Sequence, residues 1–325
     1  MNDVISPFCD LAACQTANPY EFNDFNDHWI DTSREIATRS FTPRSFTAVA
    51  CRAARRALQR TAAAAMGGAV VLAHGLMGWG GMVAKRLVPP WSYFFRIEAK
   101  FRAAGLRVLC PHVASGSPPE IRAAQLLDAI NSWPERRESE RVTVVAHSQG
   151  GLDARWAISK LDGAGIIRQL VTLSTPHRGT ALCDEIAQPL LAAAPPLSRQ
   201  LARFGLPSER TVRQLSREYM EREFNPNCVD CDDVVYRSFG GRRRMLREYW
   251  APFVPTAAVL RRLEGGGDND GLVSVASAKW GEFLGAEELD HIEQINFPLK
   301  LVNVNEPWGM WRRIIALCEA EGEAG

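Results

Sequence analysis

The sequence has no apolar run of the roughly 20 residues that a helix needs to cross a bilayer, so no transmembrane segment is predicted. A strong charge of either sign is also missing. The formal net charge is +1, so composition does not favour nucleic acid or an anionic membrane as a partner. A secretory signal has a basic segment followed by an apolar one, and the first ten residues show neither in that order. This favours a cytoplasmic or intracellular location over secretion.

The eight cysteines are scattered and do not form the dense framework of a small disulfide-rich domain. Cys228 and Cys231 form a lone C-x-x-C motif. Without a second pair or a nearby histidine, this spacing favours reduced thiols or one local disulfide over a zinc site. What remains is a chain of 325 residues with 46% apolar content, enough for one large α/β domain and an additional segment.

Residues 1–66 differ in composition from the rest of the chain. Their first part is polar and acidic, whereas no acidic residue occurs from Ile36 to Ile97 and arginines interrupt an alanine-rich stretch that ends at Met66. We predict an N-terminal extension that is partly disordered or forms a peripheral helix, with a transit-like basic amphipathic segment as the alternative. Residues 67–325 are predicted to form the folded domain.

Within that domain, apolar strand segments alternate with amphipathic helices. Strands are predicted at 69–73, 106–110, 142–146 and 166–173, with helices at 91–104, 120–133, 152–161 and 308–320. This alternation predicts a mostly parallel sheet flanked by helices. It stops at about residue 180, and the proline-interrupted segment of about 180–262 is predicted to be a helical lid or cap whose apolar face carries Val212, Leu215, Tyr219 and Phe224.

Ser148 lies in the most informative stretch, Val-Thr-Val-Val-Ala-His-Ser-Gln-Gly-Gly at 142–151. A buried strand leads directly into a turn and then a helix, with the small residues Ala146 and Gly150 on either side of the serine. This is the pattern of a nucleophile elbow, in which a strained turn exposes the serine hydroxyl above the sheet. The helix that follows places its positive end where negative charge would develop. We therefore predict Ser148 to be a catalytic nucleophile.

A second glycine-rich turn, His74-Gly-Leu-Met-Gly78, follows the first strand. Acyl transfer needs two backbone N–H donors aimed at the oxyanion of the tetrahedral intermediate. One donor follows the nucleophile and the other comes from the loop after an earlier strand. The predicted oxyanion donors are therefore the backbone N–H groups of Gln149 and Leu76.

A serine nucleophile needs a general base, and the base needs a carboxylate that orients it. His291 is the one histidine that follows both Ser148 and the predicted insertion. The carboxylate should precede it in a late loop, and the sequence Gly265-Gly-Gly-Asp-Asn-Asp-Gly271 provides two candidates. We predict Asp270, which directly precedes Gly271 and an apolar pair, and keep Asp268 as the alternative.

Together these motifs resemble the true-lipase family of bacteria, the Pseudomonas and Burkholderia type, within the α/β-hydrolase superfamily. The resemblance covers most of residues 69–297. The stretches that carry it are VVLAHGLMGW (70–79), PPEIRAAQLLDAI (118–130), VVAHSQGG (144–151), TLSTPHRGTALCDEIA (172–187), DNDGLVSVAS (268–277) and LDHIEQIN (289–296).

The resemblance implies an α/β-hydrolase fold and hydrolysis of triacylglycerols and other esters. It implies that Ser148, Asp270 and His291 are the catalytic triad and that Leu76 and Gln149 provide the oxyanion donors. It also implies a lid that contacts lipid surfaces, and we expect the acyl chain to lie near Met77, Trp79 and the insertion. Phospholipase, thioesterase and short-chain esterase activity remain alternatives because the fold does not choose the leaving group, and a non-catalytic homologue is the rival from another class.

The resemblance further implies a structural calcium ion, held partly by an aspartate two residues after the catalytic histidine. In this chain that position is Glu293, and a second calcium aspartate has no clear match near Trp250. We predict that no cofactor is required and leave a calcium ion at Glu293 as an open alternative.

Overall fold

The computed structural model describes residues 67–76, 78, 93–193, 207–297 and 306–323. The predicted N-terminal extension, residues 1–66, lies outside them, and so do Met77 and Trp79. Within the described ranges, no helix combines the length and the apolarity that crossing a membrane would require.

Six parallel strands form one sheet in the order β2-β1-β3-β4-β5-β6. The strands are β1 Ala69–Ala73, β2 Arg107–Leu109, β3 Val142–His147, β4 Ile167–Leu173, β5 Val235–Gly241 and β6 Glu282–Glu287. The chain first builds outward from β1 to β2 and then crosses back to β3, so the carboxyl ends of β1 and β3 lie side by side. In open sheets of parallel strands, such a reversal of strand order leaves a crevice at the carboxyl edge.

Helices cover both faces of this sheet. The α-helices in the described ranges are α1 Ile97–Ala103, α2 Pro119–Asn131, α3 Gln149–Lys160, α4 Gln188–Ala193, α5 Glu209–Gln214, α6 Arg217–Tyr219, α7 Asn225–Asn227, α8 Val254–Leu263, α9 Val275–Ala278 and α10 Trp308–Glu323. Short π-helical turns at Cys183–Ala187 and Met220–Phe224 precede α4 and α7, and 3₁₀ turns occupy Gly163–Gly165, Leu246–Glu248 and Ala251–Phe253.

The apolar runs of the central strands follow from burial on both faces. Along β1, Ala69, Val71 and Ala73 pack on the side covered by α2 and α3, whereas Val70 and Leu72 pack on the side covered by α1 and α10. All five residues are buried, so alternation of polar and apolar residues would be unfavourable here. This arrangement confirms the predicted sheet flanked by helices.

The predicted insertion is shorter in the structure than in the sequence interpretation. Strand β5 lies inside the range 180–262, so the helical part beside the sheet ends at α7. The sequence 235–241 contains Arg237, Ser238 and two glycines, so it lacks the continuous apolar run by which a buried strand is identified. The predicted apolar face is present, because Val212, Leu215 and Phe224 are buried and pack with Leu152 of α3.

Candidate active site

Ser148 lies at the sharp turn between β3 and α3, with φ 56° and ψ −131°. A positive φ at a residue with a side chain is strained and persists only when neighbouring structure holds it. The Ser148 N–H donates to the Leu173 carbonyl at the end of β4 over 2.9 Å, and the Thr175 hydroxyl donates to the Ser148 carbonyl over 2.7 Å. The N–H of the strained residue is therefore held by the end of β4, and its carbonyl by the loop that follows β4.

Two glycines allow the elements around Ser148 to approach each other. A Cβ atom on Gly150 would lie 2.7 Å from the Ala73 carbonyl oxygen, and one on Gly75 would lie 2.6 Å from the Ser148 Cβ. Real Cβ atoms do not make such contacts, so larger residues would displace either the turn or the loop after β1. The predicted elbow and the predicted oxyanion loop are in direct contact.

Asp270 and His291 form a buried pair at the carboxyl edge of the sheet. The His291 Nδ1 lies 2.7 Å from the Asp270 Oδ2, and the His291 backbone N–H donates to the Asp270 carbonyl over 2.9 Å. The other carboxylate oxygen, Oδ1, accepts the backbone N–H groups of Leu272 and Val273. With its Nδ1 directed at the carboxylate, His291 has its Nε2 as the nitrogen that remains for proton transfer.

The surroundings of Asp270 keep it ionised. Complete burial would raise its pKa, but the attraction of His291 and hydrogen bonds from His291, Ser174 and Leu272 outweigh this effect, so the pKa lies below the usual 3.8. The Gln294 Nε2 also donates to the Asp270 Oδ2 over 3.2 Å. Asp268, the alternative acid, pairs at the surface with Arg242 and has 47% of its side chain exposed.

His291 lies next to the residue that precedes the predicted nucleophile. The ring centroids of His147 and His291 are 4.5 Å apart, and His291 is only 6% exposed. Burial and the nearby His291 hold the pKa of His147 well below 6.5, so this ring is neutral, and its Nδ1 lies 2.7 Å from the Tyr93 hydroxyl. The structure thus brings the loops of Asp270 and His291 to the Ser148 turn.

Gln149 is the first residue of α3 and is buried, and Leu76 follows Gly75 in the loop after β1. The structure therefore places the two predicted donors in adjoining segments, since Gly75 approaches Ser148 and Gln149 directly follows it. Met77 and Trp79, predicted to contact the acyl chain, lie outside the described residues. A cavity of about 450 Å³ is lined by His74, Tyr93 and residues of α1 and β2, but neither Ser148 nor His291 lines it, so it is separate from the triad.

Sequence reasoning missed a buried arginine behind the oxyanion loop. The Arg122 Nη2 donates to the carbonyls of His74 and Gly75 over 2.6 and 3.2 Å, and its Nε contacts the Asp153 Oδ2 at 2.7 Å. Arg122 is completely buried and Asp153 is 2% exposed. The sequence does contain a signal for this pair. Arg122 lies on the buried face of α2 and Asp153 on the buried face of α3, and two such opposite charges could have indicated a contact.

The residues around Glu293 do not fit a calcium ion. The Arg243 guanidinium contacts both carboxylate oxygens of Glu293, and Arg243 and Glu293 are 4% and 3% exposed. A cation at this carboxylate would meet an existing positive charge in a buried environment. Within the described ranges, no group of three or more His, Cys, Asp or Glu side chains is arranged to hold a metal ion, and Cys228 and Cys231 are free thiols.

The parallel sheet in this strand order is that of an α/β-hydrolase fold. The strained Ser148 follows β3, Asp270 lies between β5 and β6, and His291 follows β6. The family model for palmitoyl protein thioesterase matches residues 109–251. Triacylglycerol lipase 2 of Saccharomyces cerevisiae is 28% identical over 238 residues, which cover 70% of this chain and 68% of the yeast protein.

A triacylglycerol lipase of Pseudomonas fragi is 27% identical over 117 residues, which cover 36% of this chain and 37% of that lipase. The crystal structure of Staphylococcus hyicus lipase superimposes with a TM-score of 0.63 at 15% identity, covering 79% of this chain and 96% of that chain. The chain therefore has the α/β-hydrolase fold and is similar in sequence to triacylglycerol lipases.

Proposed function

We propose that the protein hydrolyses carboxylic esters through an acyl-enzyme intermediate on Ser148. The observation that carries this proposal is the 2.7 Å contact between the His291 Nδ1 and the Asp270 Oδ2, placed beside the strained turn of Ser148. Histidine and aspartate in this arrangement can activate a serine hydroxyl, which is a weak nucleophile by itself.

In the first half-reaction, the Ser148 Oγ attacks the ester carbonyl carbon while the His291 Nε2 accepts its proton. Asp270 holds the imidazole in the required tautomer and stabilises the imidazolium. The oxyanion accepts hydrogen bonds from the Gln149 and Leu76 amides. His291 then returns the proton to the leaving alcohol. Water, activated in the same way, releases the acid and regenerates Ser148.

Triacylglycerols are the substrate class that we propose, with the chain acting as a lipase of the bacterial Pseudomonas and Burkholderia type. The named activities of the yeast and Pseudomonas fragi relatives support this assignment. The insertion adds support, because Ile186 and Leu190 lie four residues apart on one helical face and are 42% and 67% exposed. Such a face would contact a lipid surface, and Met77 and Trp79 would contact the acyl chain.

Thioester hydrolysis is the second candidate, since the matching family model is that of palmitoyl protein thioesterase. Phospholipase and short-chain esterase activity would use the same triad. The distinguishing experiment compares soluble nitrophenyl esters of short and long chains, emulsified triglyceride, phospholipid and a palmitoyl thioester, with Ser148→Ala as the control. We expect ester hydrolysis by the wild type, highest on emulsified triglyceride, and none by Ser148→Ala. No hydrolysis by the wild type would contradict the proposal and favour a non-catalytic homologue.

The lid contact has its own test. Replacing both Ile186 and Leu190 with serine should reduce hydrolysis of emulsified triglyceride because the exposed apolar face is lost, while hydrolysis of a soluble short ester should stay within about twofold. Val229→Ser is the matched control, because Val229 is also 67% exposed but lies outside the helical face. An equal loss on both substrates, or no loss on triglyceride, would count against a lid that contacts lipid.

A further inference from the structure

We propose that the buried ion pair of Arg243 and Glu293 positions the catalytic histidine loop and replaces a structural metal ion there. This inference rests on the proposed role of His291. The histidine loop, residues 288–297, follows β6 and contains no regular helix or strand. A loop that must hold a general base within a fraction of an ångström needs such external fixation.

The loop is closed locally by two carboxylates on either side of His291. The Asp290 Oδ1 accepts the Glu293 N–H over 3.0 Å, and the Glu293 Oε2 accepts the Asp290 N–H over 2.8 Å. The Asp290 Oδ2 accepts the Trp250 N–H over 2.8 Å. These two hydrogen bonds join the residue before His291 to a residue two positions after it. A shift of either carboxylate would therefore move the imidazole.

Arg243 connects this loop to the loop that carries the catalytic acid. Its side chain contacts Glu293, and its backbone N–H donates to the carbonyl of Asn269, the residue before Asp270, over 3.2 Å. Its own carbonyl accepts the Tyr249 hydroxyl and the Arg261 Nη2. Arg243 therefore links the loop of the base to the loop of the acid, in addition to the direct contacts between His291 and Asp270.

The carboxylates at this position already have protein partners. Both oxygens of Glu293 contact the guanidinium, and both oxygens of Asp290 accept backbone N–H groups. A planar guanidinium can contact two oxygens of a carboxylate, so it can bridge loops as a divalent cation would. The chain therefore carries its own cation in Arg243.

The first test removes divalent metal from the purified full-length protein. Melting temperature and the rate of labelling by an organophosphonate are measured after chelation and again with added calcium. We expect the same melting temperature and the same labelling rate in both states. An ion that binds the folded state would raise the melting temperature, so a loss of both quantities on chelation and their recovery with calcium would overturn the proposal.

The second test uses Arg243→Met, Arg243→Lys and Glu293→Gln. For Arg243→Met and Glu293→Gln we expect kcat on a soluble short ester to fall by roughly 100-fold with KM nearly unchanged, because a displaced base affects chemistry more than binding. Arg243→Lys keeps the charge and should recover part of kcat. An unchanged kcat in both Arg243→Met and Glu293→Gln would overturn the positioning role.

The control is Arg107→Met, which breaks a second arginine–glutamate ion pair, with the less buried Glu140, at the amino end of β2 and away from the triad. It should lower the melting temperature but leave kcat of the folded enzyme unchanged. If the Arg243 variants lower only the melting temperature, as this control does, the pair has a structural role alone. If the wild-type protein is not labelled at all, the proposed function fails, which is a different outcome from chelator-sensitive labelling.

Discussion

At the scale of a single residue, the contacts of Asp270 predict that its replacement lowers kcat strongly. Its carboxylate accepts hydrogen bonds from two backbone N–H groups and from the Gln294 amide, and its Oδ2 lies 2.7 Å from the His291 Nδ1. Asp270→Asn should lower kcat by about 10⁴-fold, because an amide can present its NH₂ group to the imidazole and stabilise the wrong tautomer. Steady-state kinetics on a soluble short ester measure this change.

Asp268→Asn is the control for that substitution, two residues away in the same loop. Asp268 pairs with a partly exposed Arg242, and exposed ion pairs contribute little, so kcat should stay within about twofold. A larger loss in Asp268→Asn than in Asp270→Asn would reassign the acid to the alternative that the sequence leaves open.

Residues whose roles depend on local chain geometry were visible in the sequence. Ser148, Gly150 and the aspartates before Gly271 lie in short motifs, where neighbouring residues fix the backbone. Arg122 and Arg243 were not predicted, because their partners, Asp153 and Glu293, are 31 and 50 residues away in the chain. A pattern within one segment does not show which distant charges meet in the core.

At the scale of the element, the β3–α3 turn depends on close backbone approach. Gly150→Ala would place a Cβ atom 2.7 Å from the Ala73 carbonyl oxygen, so the helix or β1 must shift. We expect a loss of about 1–3 kcal/mol in the free energy of unfolding together with a lower kcat, measured by urea denaturation and ester hydrolysis.

Gly165→Ala is the matched control, because a Cβ atom there would have no neighbour within 4 Å. Its free energy of unfolding should change by no more than about 0.5 kcal/mol. If Gly150→Ala were equally neutral, the close approach of α3 to β1 would not be needed for the turn.

The first four strands were predicted, including the edge strand β2, whereas β5 and β6 were not. β1 is apolar throughout, and β3 and β4 are rich in aliphatic and β-branched residues, which indicates strands. β6 is the edge strand next to β5, is only partly buried and contains Gly285, so its sequence has no clear periodicity. Helix α3 begins at Gln149 and not at Leu152 as predicted, because packing overrides the low helix propensity of Gly150 and Gly151.

At the scale of the whole molecule, three buried neutral histidines make stability depend on pH. Burial lowers the pKa of His74 to about 4 and holds the pKa values of His147 and His177 well below 6.5. Below about pH 6.5 the unfolded chain binds protons that the folded chain does not, so stability falls as the pH falls toward the folded pKa values. Each histidine contributes about 1.4 kcal/mol per pH unit in this window.

Asp153 acts in the opposite sense, because burial raises its pKa to about 7 against the lowering effect of Arg122. Its stabilising contribution is present at low pH and is lost as the pH rises through about 7, so it offsets one of the three histidines. We therefore expect the free energy of unfolding to decrease between about pH 6.5 and about pH 5. Urea denaturation across this range measures the decrease, and His177→Gln should make it smaller. A free energy of unfolding that stayed constant or increased on acidification would contradict this account.

The most direct measurement of the central claim is the site of covalent labelling by an organophosphonate, located by mass spectrometry of the digested protein. If His291 and Asp270 activate Ser148, the wild type gains one phosphonyl group on the peptide that contains Ser148, and Ser148→Ala gains none. Labelling of a different residue, or equal labelling of Ser148→Ala, would contradict the account.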